Sequence, residues 1–325
     1  MIISQTPLRM SFVGGGTDFE DFYQRYPGRV LSTTINKYYY IALNPRFDGL
    51  IEVRYSKIET VASPDQIKHP LVREALKEAG IEKGIDIVSL SDLPARKTGT
   101  GLGSSSSFTV GLLNGLYAFL GKYISPEILA EKACQIEIER VKSPIGKQDQ
   151  YAAAFGGLNQ ITFNCNGKIE VEPIYLTPKL KEDFQNHLLL FFTGIERLAN
   201  PILAEQKQNI DKKFEFLKKM SDMVPIFRST LENGDFKKMG ELLYQGWLLK
   251  KELASAISNP KIDEMYNLAL EAGAWGGKIL GAGGGGFLLV MASPEKHSKI
   301  KEVLNKYQLI PFRFSESGSK IVFKN

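Results

Sequence analysis

The chain has 325 residues, of which 43% are hydrophobic and 24% are charged, an ordinary composition for a soluble globular protein. The formal net charge of +5 is small for this length, and Lys and Arg are interleaved with Asp and Glu, which excludes a nucleic-acid-binding patch. No apolar run approaches membrane-spanning length, so no membrane contact is predicted. The length favours two domains or one large one.

The cysteines and the N-terminus bear on the cellular compartment. Cys134 and Cys165 fit no metal-ligand spacing and no disulfide framework. Residues 1–7 lack the basic segment and apolar stretch of a signal peptide. These features predict a protein of the reducing cytoplasm, and the sequence leaves its oligomeric state open.

The first half is predicted to contain strands and interspersed helices. Residues 30–43, 51–55 and 85–90 are rich in β-branched and aromatic residues and predict strands. Apolar residues recur at helical spacing from Phe108 onward. A second helix is predicted to start at Ser125, because Ser caps helices and the Pro and Glu that follow favour the first turn.

The second half is also predicted to mix strands and helices. The expected elements are a hairpin of strands 158–163 and 169–174, a strand at 187–193, four helices between 198 and 271, strands at 278–280 and 287–291, a helix at 294–307, and strands near Phe312 and Ile321. Pro173 and Pro178 mark a boundary. The chain is therefore predicted to be an α+β protein with domains at residues 1–177 and 178–325.

Fourteen of the 30 glycines lie in three short runs, at residues 14–16, 99–103 and 273–286. Glycine permits close approaches and left-handed backbone angles, at a cost in conformational entropy. Concentrating that cost in three places predicts bare backbone held against a ligand. Phosphate is the leading choice, because free backbone amides are good donors to anions.

The central run, residues 99–107, leads directly into the helix predicted at Phe108. A helix N-terminus carries unpaired N–H groups and partial positive charge, so a glycine loop before it suits a polyphosphate. A serine hydroxyl of the run suits a magnesium ion that bridges the phosphates. The run is neither a P-loop, which needs Lys and then Ser or Thr after its last glycine, nor a G-x-G-x-x-G motif. The structural alternative is a flexible linker followed by a serine cap.

Two carboxylates follow the central run. Glu137 shares its helical face with small and apolar residues, whereas Glu139 has polar neighbours, so Glu137 is predicted to point inward. A buried acid needs a partner, and a divalent metal ion would serve. The structural alternative is a salt bridge from Glu137 to Arg140.

Asp149 follows a Pro-Ile-Gly turn and precedes three alanines. A carboxylate at a substrate hydroxyl would accept its proton during phosphoryl transfer. A helix cap is the structural alternative for this residue.

The outer two glycine runs follow or join predicted strands. Residues 7–13 read as a strand that passes into a glycine turn and ends in Thr17 and Asp18. Arg9 supplies a planar cationic fork and Asp18 a charged acceptor, a pairing that suits sugar hydroxyls and phosphate. Residues 278–287 read as strand, glycine loop and strand, and their four successive glycines exceed what a simple hairpin requires.

The three runs in this order resemble the three motifs of the GHMP kinases, the family of galacto-, homoserine, mevalonate and phosphomevalonate kinases, over essentially the whole chain. The central run resembles the family's phosphate loop, although Ser106 and Ser107 stand where Ala is common. Gly-Lys-Gln-Asp149-Gln resembles the segment with the catalytic aspartate. Glu137 stands where the galactokinase branch has its magnesium-binding glutamate. Gly-Gly-Gly-Thr-Asp replaces the Gly-Glu-His-Thr-Asp expected of galactokinases, which argues against a simple galactokinase.

Within the family, four segments resemble the branch that phosphorylates the anomeric hydroxyl of D-glycero-D-manno-heptose 7-phosphate. They are residues 7–9 with 14–18, residues 146–157, residues 192–194 with Arg197, and residues 276–278. The alternatives are a kinase of the same fold for another sugar, of the fucose or galactose type, and a non-catalytic sugar-binding relative.

The resemblance implies an N-terminal domain like domain 2 of ribosomal protein S5 and a ferredoxin-like α+β C-terminal domain. It implies ATP as the phosphate donor, bound on Gly99, Thr100, Gly101, Leu102, Gly103, Ser104, Ser105 and Ser106. It implies Mg²⁺ held by Glu137 and by either Ser104 or Ser105. Asp149 would accept the proton of the sugar hydroxyl, and Arg9 would stabilise the transferring group. The implied sugar-binding residues are Gly15, Gly16, Thr17, Asp18, Arg197, Lys278, Gly283 and Gly284. The positive charges of Arg197 and Lys278 make them candidates for contact with a phosphate already on the sugar.

Overall fold

The computed structural model describes residues 1–93 and 101–325, so Gly99 and Thr100 of the central run lie outside the described residues. The described strands are β1 (Ile2–Val13), β2 (Gly28–Pro45), β3 (Ile51–Arg54), β4 (Ile58–Val61), β5 (Ile85–Ser91), β6 (Leu158–Phe163), β7 (Ile169–Pro173), β8 (Leu188–Phe192), β9 (Gly276–Ile279), β10 (Phe287–Met291), β11 (Gln308–Leu309), β12 (Phe314–Ser315) and β13 (Lys320–Lys324).

The described α-helices are α1 (Glu20–Tyr23), α2 (Pro70–Ala79), α3 (Ser104–Phe119), α4 (Pro126–Cys134), α5 (Gln148–Phe155), α6 (Pro178–Asn186), α7 (Ala199–Gln208), α8 (Phe214–Glu232), α9 (Phe236–Lys251), α10 (Pro260–Glu271) and α11 (His297–Val303). A π-helical segment at Gln135–Arg140 continues α4, and short 3-10 turns occur at Pro64–Gln66 and Pro294–Lys296. In the described part of the chain, every helix is too short or too polar to traverse a bilayer.

Two sheets organise these elements. The larger one has the order β13-β1-β2-β5-β3-β4, with β6 paired to β2 and β7, and β12 paired to β2. Its described strand pairs are antiparallel except β3 with β5. The smaller sheet is antiparallel with the order β11-β8-β10-β9. The last strand, β13, pairs with β1, so the end of the chain returns to the sheet where it began.

Most predicted elements are found close to where the sequence places them. The strands predicted at 30–43, 51–55 and 85–90 correspond to β2, β3 and β5. Ser125 caps α4, since its hydroxyl accepts a hydrogen bond from the Ile128 amide. The helix expected from Phe108 begins four residues earlier, at Ser104, with Gly103 at the N-cap position. The serines therefore form the first turn of α3 instead of leading into it.

The boundary between the halves carries a capped helix. Thr177 caps α6 by accepting a hydrogen bond from the Leu180 amide, and Pro178 occupies the first turn. A new element thus begins at residue 178, while β12 and β13 pair with strands of the first half. The division at residue 177 stays a prediction.

The two halves share a hydrophobic core. Phe12 of β1 lies 5.8 Å, between ring centroids, from Phe227 of α8, and both side chains are buried. The same cluster contains Leu243 of α9 and Leu289 of β10. Helices of the second half therefore pack directly on β1, the strand that leads to the first glycine run, and this packing fixes the run relative to the rest of the site.

Candidate active site

The three glycine runs meet in space through their backbones. Gly101 has a φ of +82°, and a Cβ on it would lie 2.5 Å from the Leu280 carbonyl oxygen. A Cβ on Gly281 would lie 2.4 Å from the Gly101 Cα. The Arg9 amide of β1 donates to the Leu102 carbonyl at 3.0 Å. Only glycine fits at 101 and 281, because any side chain would separate the central run from the third run.

A cavity opens where the runs meet. It is lined by residues of the three runs and by the first turns of α3 and α5, with α7 and α9 of the second half on its walls. The predicted site residues that line it are Arg9, Gly15, Gly16, Asp18, Gly101, Gly103, Ser104, Ser105, Ser106, Asp149, Arg197 and Lys278.

Other predicted residues lie behind the cavity wall. Thr17 is buried, and its hydroxyl donates to the carbonyls of Gly14 and Arg29, both at 2.8 Å. Its side chain therefore shapes the glycine turn. Leu102 is also buried and contributes the carbonyl that anchors Arg9.

Gly283 and Gly284 of the third run face Ile257 and Ala256, not the cavity. The Gly284 amide donates to the Ile257 carbonyl at 2.7 Å, and the Gly283 carbonyl accepts from Nε of Arg197. These two glycines thus position Arg197, while Gly281 and Ala282 supply the part of the run that lines the cavity.

Arg9 and Asp149 form a bidentate ion pair at the cavity. Arg9 Nε lies 2.7 Å from Asp149 Oδ1, and Nη2 lies 2.7 Å from Oδ2. Arg9 Nη1 donates to the Gly101 carbonyl at 2.7 Å, which ties the pair to the central run. The Arg9 side chain is 5% exposed and that of Asp149 is 24% exposed, so the carboxylate is the accessible partner. Asp149 lies in the first turn of α5, but Arg9 holds its carboxylate, in contrast to the helix-cap alternative.

Glu137 is fully buried in the π-helical segment, behind the first turn of α3. Ser105 Oγ donates to its Oε1 at 2.7 Å, and Gln150 Nε2 donates to its Oε2 at 2.7 Å. Burial raises the pKa of Glu137, and the hydrogen bond from Ser105 opposes that shift. Arg140 pairs with Glu78 instead, so the predicted alternative of a Glu137–Arg140 salt bridge does not occur. Single π-helical turns are frequent at functional sites.

The Glu137–Ser105 pair suits a magnesium ion that also binds phosphate and water, and not a metal ion whose ligands all come from the protein. Within residues 1–93 and 101–325, no group of three or more His, Cys, Asp or Glu side chains could hold a metal ion. Magnesium at phosphate sites commonly takes one or two protein ligands and completes its shell with phosphate oxygens and water. Ser105 is exposed toward the cavity and is hydrogen-bonded to the buried carboxylate, so this pair could supply such an incomplete ligand set.

Asp18 is the second carboxylate on the cavity. Its Oδ1 accepts from the Gly16 amide at 3.0 Å and from Gln148 Nε2 at 2.8 Å, and its Oδ2 accepts from the Gln148 amide at 3.1 Å. Burial raises the pKa of Asp18, as does the nearby charge of Asp149, whereas the amide hydrogen bond from Gln148 lowers it. A Cβ on Gly146 would lie 2.0 Å from Asp18 Oδ2, so glycine is required there.

Ser11 and Gln148 offer hydrogen-bonding atoms that the described protein does not use. Ser11 is 4% exposed, and among the described residues its Oγ has no partner. Gln148 directs Nε2 at Asp18, so its Oε1 faces away, and that atom also has no partner there. Both residues line the cavity beside Gly15. Buried polar atoms in proteins are nearly always paired, so these two suit the hydroxyl groups of a ligand.

In the part of the chain that the structure describes, four cationic side chains line the cavity: Arg9, Arg197, Lys250 and Lys278. Burial lowers the pKa of Lys250 to about 7, and the positive charges of Arg9 and Arg197 add to the effect. Burial also lowers the pKa of Lys278 well below its ordinary value and that of Arg197 to about 10. Buried like charges repel strongly, and an anionic ligand would stabilise them.

Sequence reasoning assigned no role to several residues that the structure places at the site, among them Gln148, Gln150, Ser11 and Lys250. Gln148 and Gln150 flank Asp149, so the Gly-Lys-Gln-Asp-Gln segment itself was the available signal. Ser11 follows Arg9 by two positions on β1 and therefore points to the same face of the strand. Lys250 stands beside Lys251 on α9, and nothing local distinguishes the two.

Both halves of the chain are similar to known proteins. The family model "GHMP kinases N terminal domain" matches residues 67–157, and "GHMP kinases C terminal" matches residues 227–308. A D-glycero-alpha-D-manno-heptose 7-phosphate kinase of Campylobacter jejuni is 30% identical over 98% of this chain and 98% of its own length.

Two solved structures are also similar. A D-glycero-D-manno-heptose 1-phosphate kinase from Bacteriodes thetaiotaomicron superposes with a TM-score of 0.83 at 25% identity, over 100% of both chains. A putative sugar kinase from Campylobacter jejuni has a TM-score of 0.75 at 29% identity, over 98% of this chain and 97% of its own. These matches confirm the fold class and the resemblance inferred from the glycine runs.

Proposed function

Because the chain belongs to the GHMP kinase family and is an ATP-dependent phosphotransferase, we propose that it phosphorylates the anomeric hydroxyl of D-glycero-D-manno-heptose 7-phosphate to give the 1,7-bisphosphate. The observation that carries this proposal is the Arg9–Asp149 pair at the point where the three glycine runs meet. That arrangement places a carboxylate beside a glycine loop and a helix N-terminus, which are the parts that phosphoryl transfer to an alcohol needs.

The phosphates of ATP would lie on the central run and the first turn of α3. Gly101, Gly103 and the serines 104–106 line the cavity there, and α3 directs its N-terminus at the same space. We assign Gly99 and Thr100 to the same phosphate loop. The partial positive charge and bare amides of a helix N-terminus favour a polyanion at this end of the cavity.

Magnesium would be held by Glu137 and Ser105, since Ser105 lines the cavity and donates to the Glu137 carboxylate at 2.7 Å. Bound there with ATP, it would neutralise charge on the β- and γ-phosphate oxygens. Gln150 holds the other oxygen of Glu137 and thereby fixes the carboxylate's orientation.

Asp149 would orient the anomeric hydroxyl and accept its proton. In a loose phosphoryl-transfer transition state, little charge builds on the attacking oxygen, so positioning matters more than strong basicity. Arg9 fixes the carboxylate through two parallel hydrogen bonds and would stabilise charge on the transferring phosphoryl group.

The sugar would lie against the first glycine run. Asp18, Ser11 and Gln148 supply acceptors and a hydroxyl at one wall of the cavity. Gly15 and Gly16 leave room beside them, where galactokinases would be expected to carry larger side chains. Thr17 would act by holding the turn in shape.

Arg197 and Lys278 would face the phosphate that the acceptor already carries, with Gly283 and Gly284 supporting Arg197. A kinase that acts on free fucose or galactose would not need Arg197 and Lys278 to bind a phosphate on its acceptor. A non-catalytic sugar-binding relative would be expected to lack the acid or the metal ligand, and Asp149 and Glu137 are both present.

The test is a panel of acceptors assayed for ADP release. D-glycero-D-manno-heptose 7-phosphate, the corresponding 1-phosphate and the unphosphorylated heptose should be compared, with fucose and galactose as further members. We expect the 7-phosphate to give the highest kcat/KM, and phosphorus NMR of the product should show a new phosphate on C1. Preference for the 1-phosphate, which has no free anomeric hydroxyl, or for a free sugar would refute the proposal.

A further inference from the structure

Among the cavity-lining cations in residues 1–93 and 101–325, Lys250 has no role assigned so far. It lies on α9 and is 4% exposed, whereas the side chain of its neighbour Lys251 is 34% exposed and pairs with Asp263 at 3.5 Å. Lys250 Nζ donates to the carbonyl of Gly281, in the stretch of the third run that lines the cavity. Its ammonium group is therefore a buried charge at the cavity.

The charged groups around Lys250 do not neutralise it. Asp149 is already engaged by Arg9, and Asp18 is engaged by two groups of Gln148. The positive charges of Arg9 and Arg197 disfavour the ammonium form of Lys250 and lower its pKa. Lys250 in turn lowers the pKa of Lys278. A buried ammonium has three donors and needs anionic or polar partners, and a carbonyl supplies only part of that need.

Two features of the cavity attract anions, and different halves of the chain contribute them. The central run and the N-terminus of α3 belong to the first half, and Glu137 lies behind them. Arg197, Lys250 and Lys278 all belong to the second half. A transferase whose two ligands both carry phosphate needs cationic or amide groups for each of them.

We propose that Lys250, together with Arg197 and Lys278, forms the subsite for the phosphate monoester that the acceptor carries before the reaction. The inference rests on the proposed function and deepens it, because it makes Lys250 a determinant of specificity for phosphorylated over free sugars. Lys250 also secures Gly281, whose backbone contacts Gly101, so the subsite is anchored to the point where the runs meet.

The experiment compares Lys250→Met with Lys251→Met, a matched control one position along α9 whose side chain faces outward. KM and kcat are measured for ATP, for D-glycero-D-manno-heptose 7-phosphate and for the unphosphorylated heptose. Loss of a charged hydrogen bond should raise KM for the 7-phosphate about 10- to 100-fold in Lys250→Met. The rise in KM for ATP and the fall in kcat/KM for the free heptose should both be clearly smaller than this, because neither ligand places a phosphate monoester at Lys250. Lys250→Arg should recover much of the affinity, and Lys251→Met should behave as the wild type.

The outcomes separate this inference from the proposed function. If the wild-type enzyme prefers the free heptose, or phosphorylates neither the free heptose nor the 7-phosphate, the proposed function is overturned regardless of the results for the variants. A wild-type enzyme that prefers the 7-phosphate, with an unchanged KM in Lys250→Met, overturns only the role of Lys250. A rise confined to KM for ATP overturns it too, because Lys250 would then contact the nucleotide.

A second measurement needs no variant, should Lys250→Met fail to fold. Calorimetric binding of heptose 7-phosphate to the wild type at pH 7.5, in two buffers of different ionisation enthalpy, reports protons taken up on binding. Net uptake with the 7-phosphate and none with the free heptose is expected, because the bound phosphate favours the charged ammonium. No uptake with the 7-phosphate would contradict the subsite.

Discussion

The backbone contact between Gly101 and the third glycine run allows a controlled test of the site's construction. Gly101→Ala is the perturbation, and Gly121→Ala is its control. The two glycines flank α3 and have similar φ angles of +82° and +71°. At Gly121 nothing lies within 4 Å of an added Cβ, whereas at Gly101 the Leu280 carbonyl oxygen would lie at 2.5 Å.

The two variants should differ in the free energy of unfolding. An alanine in the left-handed region costs about 1–2 kcal/mol, and this is the whole cost at residue 121. At residue 101 a backbone carbonyl blocks the Cβ and cannot rotate away, so overpacking adds about 1–3 kcal/mol. Urea denaturation should therefore show a larger loss for Gly101→Ala than for Gly121→Ala.

Activity should separate the variants more sharply. Pushing the central run away from Leu280 moves the phosphate loop relative to Asp149, and a displacement of about 1 Å can cost about 100-fold in rate. We expect kcat/KM of Gly101→Ala to fall by about that factor, while Gly121→Ala keeps wild-type kinetics. Equal stability and equal kcat/KM in the two variants would refute the contact between the runs.

Four further predictions concern side chains. Asp149→Asn should lower kcat by about 10²- to 10⁴-fold with ATP affinity largely kept, and near-normal turnover would remove this carboxylate from the mechanism. Glu137→Gln should shift the magnesium titration of activity to higher concentration, and an unchanged titration would count against its metal role. Above pH 7, where the pKa of Lys250 lies in the folded protein, KM for the 7-phosphate should rise, and a flat profile in the wild type would contradict an ammonium contact. The unfolded chain keeps this proton until about pH 10.5, so Lys250 should make the ligand-free protein more stable as pH rises between these values, and a pH series of urea unfolding curves should show a shallower slope for Lys250→Met.

The parts of the site that depend on backbone conformation could be predicted from sequence. Glycine is the residue that permits positive φ and close backbone approach, so clusters of it mark such places directly. The contact between Gly101 and Gly281 is of this kind, although the two residues are far apart in the chain. The inward direction of Glu137 also followed from its helical neighbours, even though the segment is π-helical instead of α-helical.

The parts that depend on tertiary packing could not be predicted in this way. Periodicity does not decide which of two adjacent lysines, Lys250 or Lys251, is buried, because that depends on how α9 packs against the third glycine run. The Thr17 hydroxyl could bind a sugar, but β2 lies beside it and the Arg29 carbonyl of β2 accepts a hydrogen bond from this hydroxyl. Gly283 and Gly284 were predicted to contact the sugar, but they pack against Ile257 and Ala256, and Gly281 of the same run lines the cavity.

The buried cations of the cavity affect the stability of the ligand-free protein. Arg9, Lys250 and Lys278 are each at most 5% exposed, and burial of the two lysines, together with repulsion among the three cations, destabilises the ligand-free protein. Proteins tolerate such local violations at functional sites when the surrounding structure holds them in place. Here Phe12 of β1 and Phe227 of α8 pack together in the core that the two halves share, and this packing stabilises the structure around the cavity. Phosphate groups of bound ligands would offset the destabilisation by these buried cations. ATP and the acceptor should therefore each raise the melting temperature, and the two together should raise it more than either does alone.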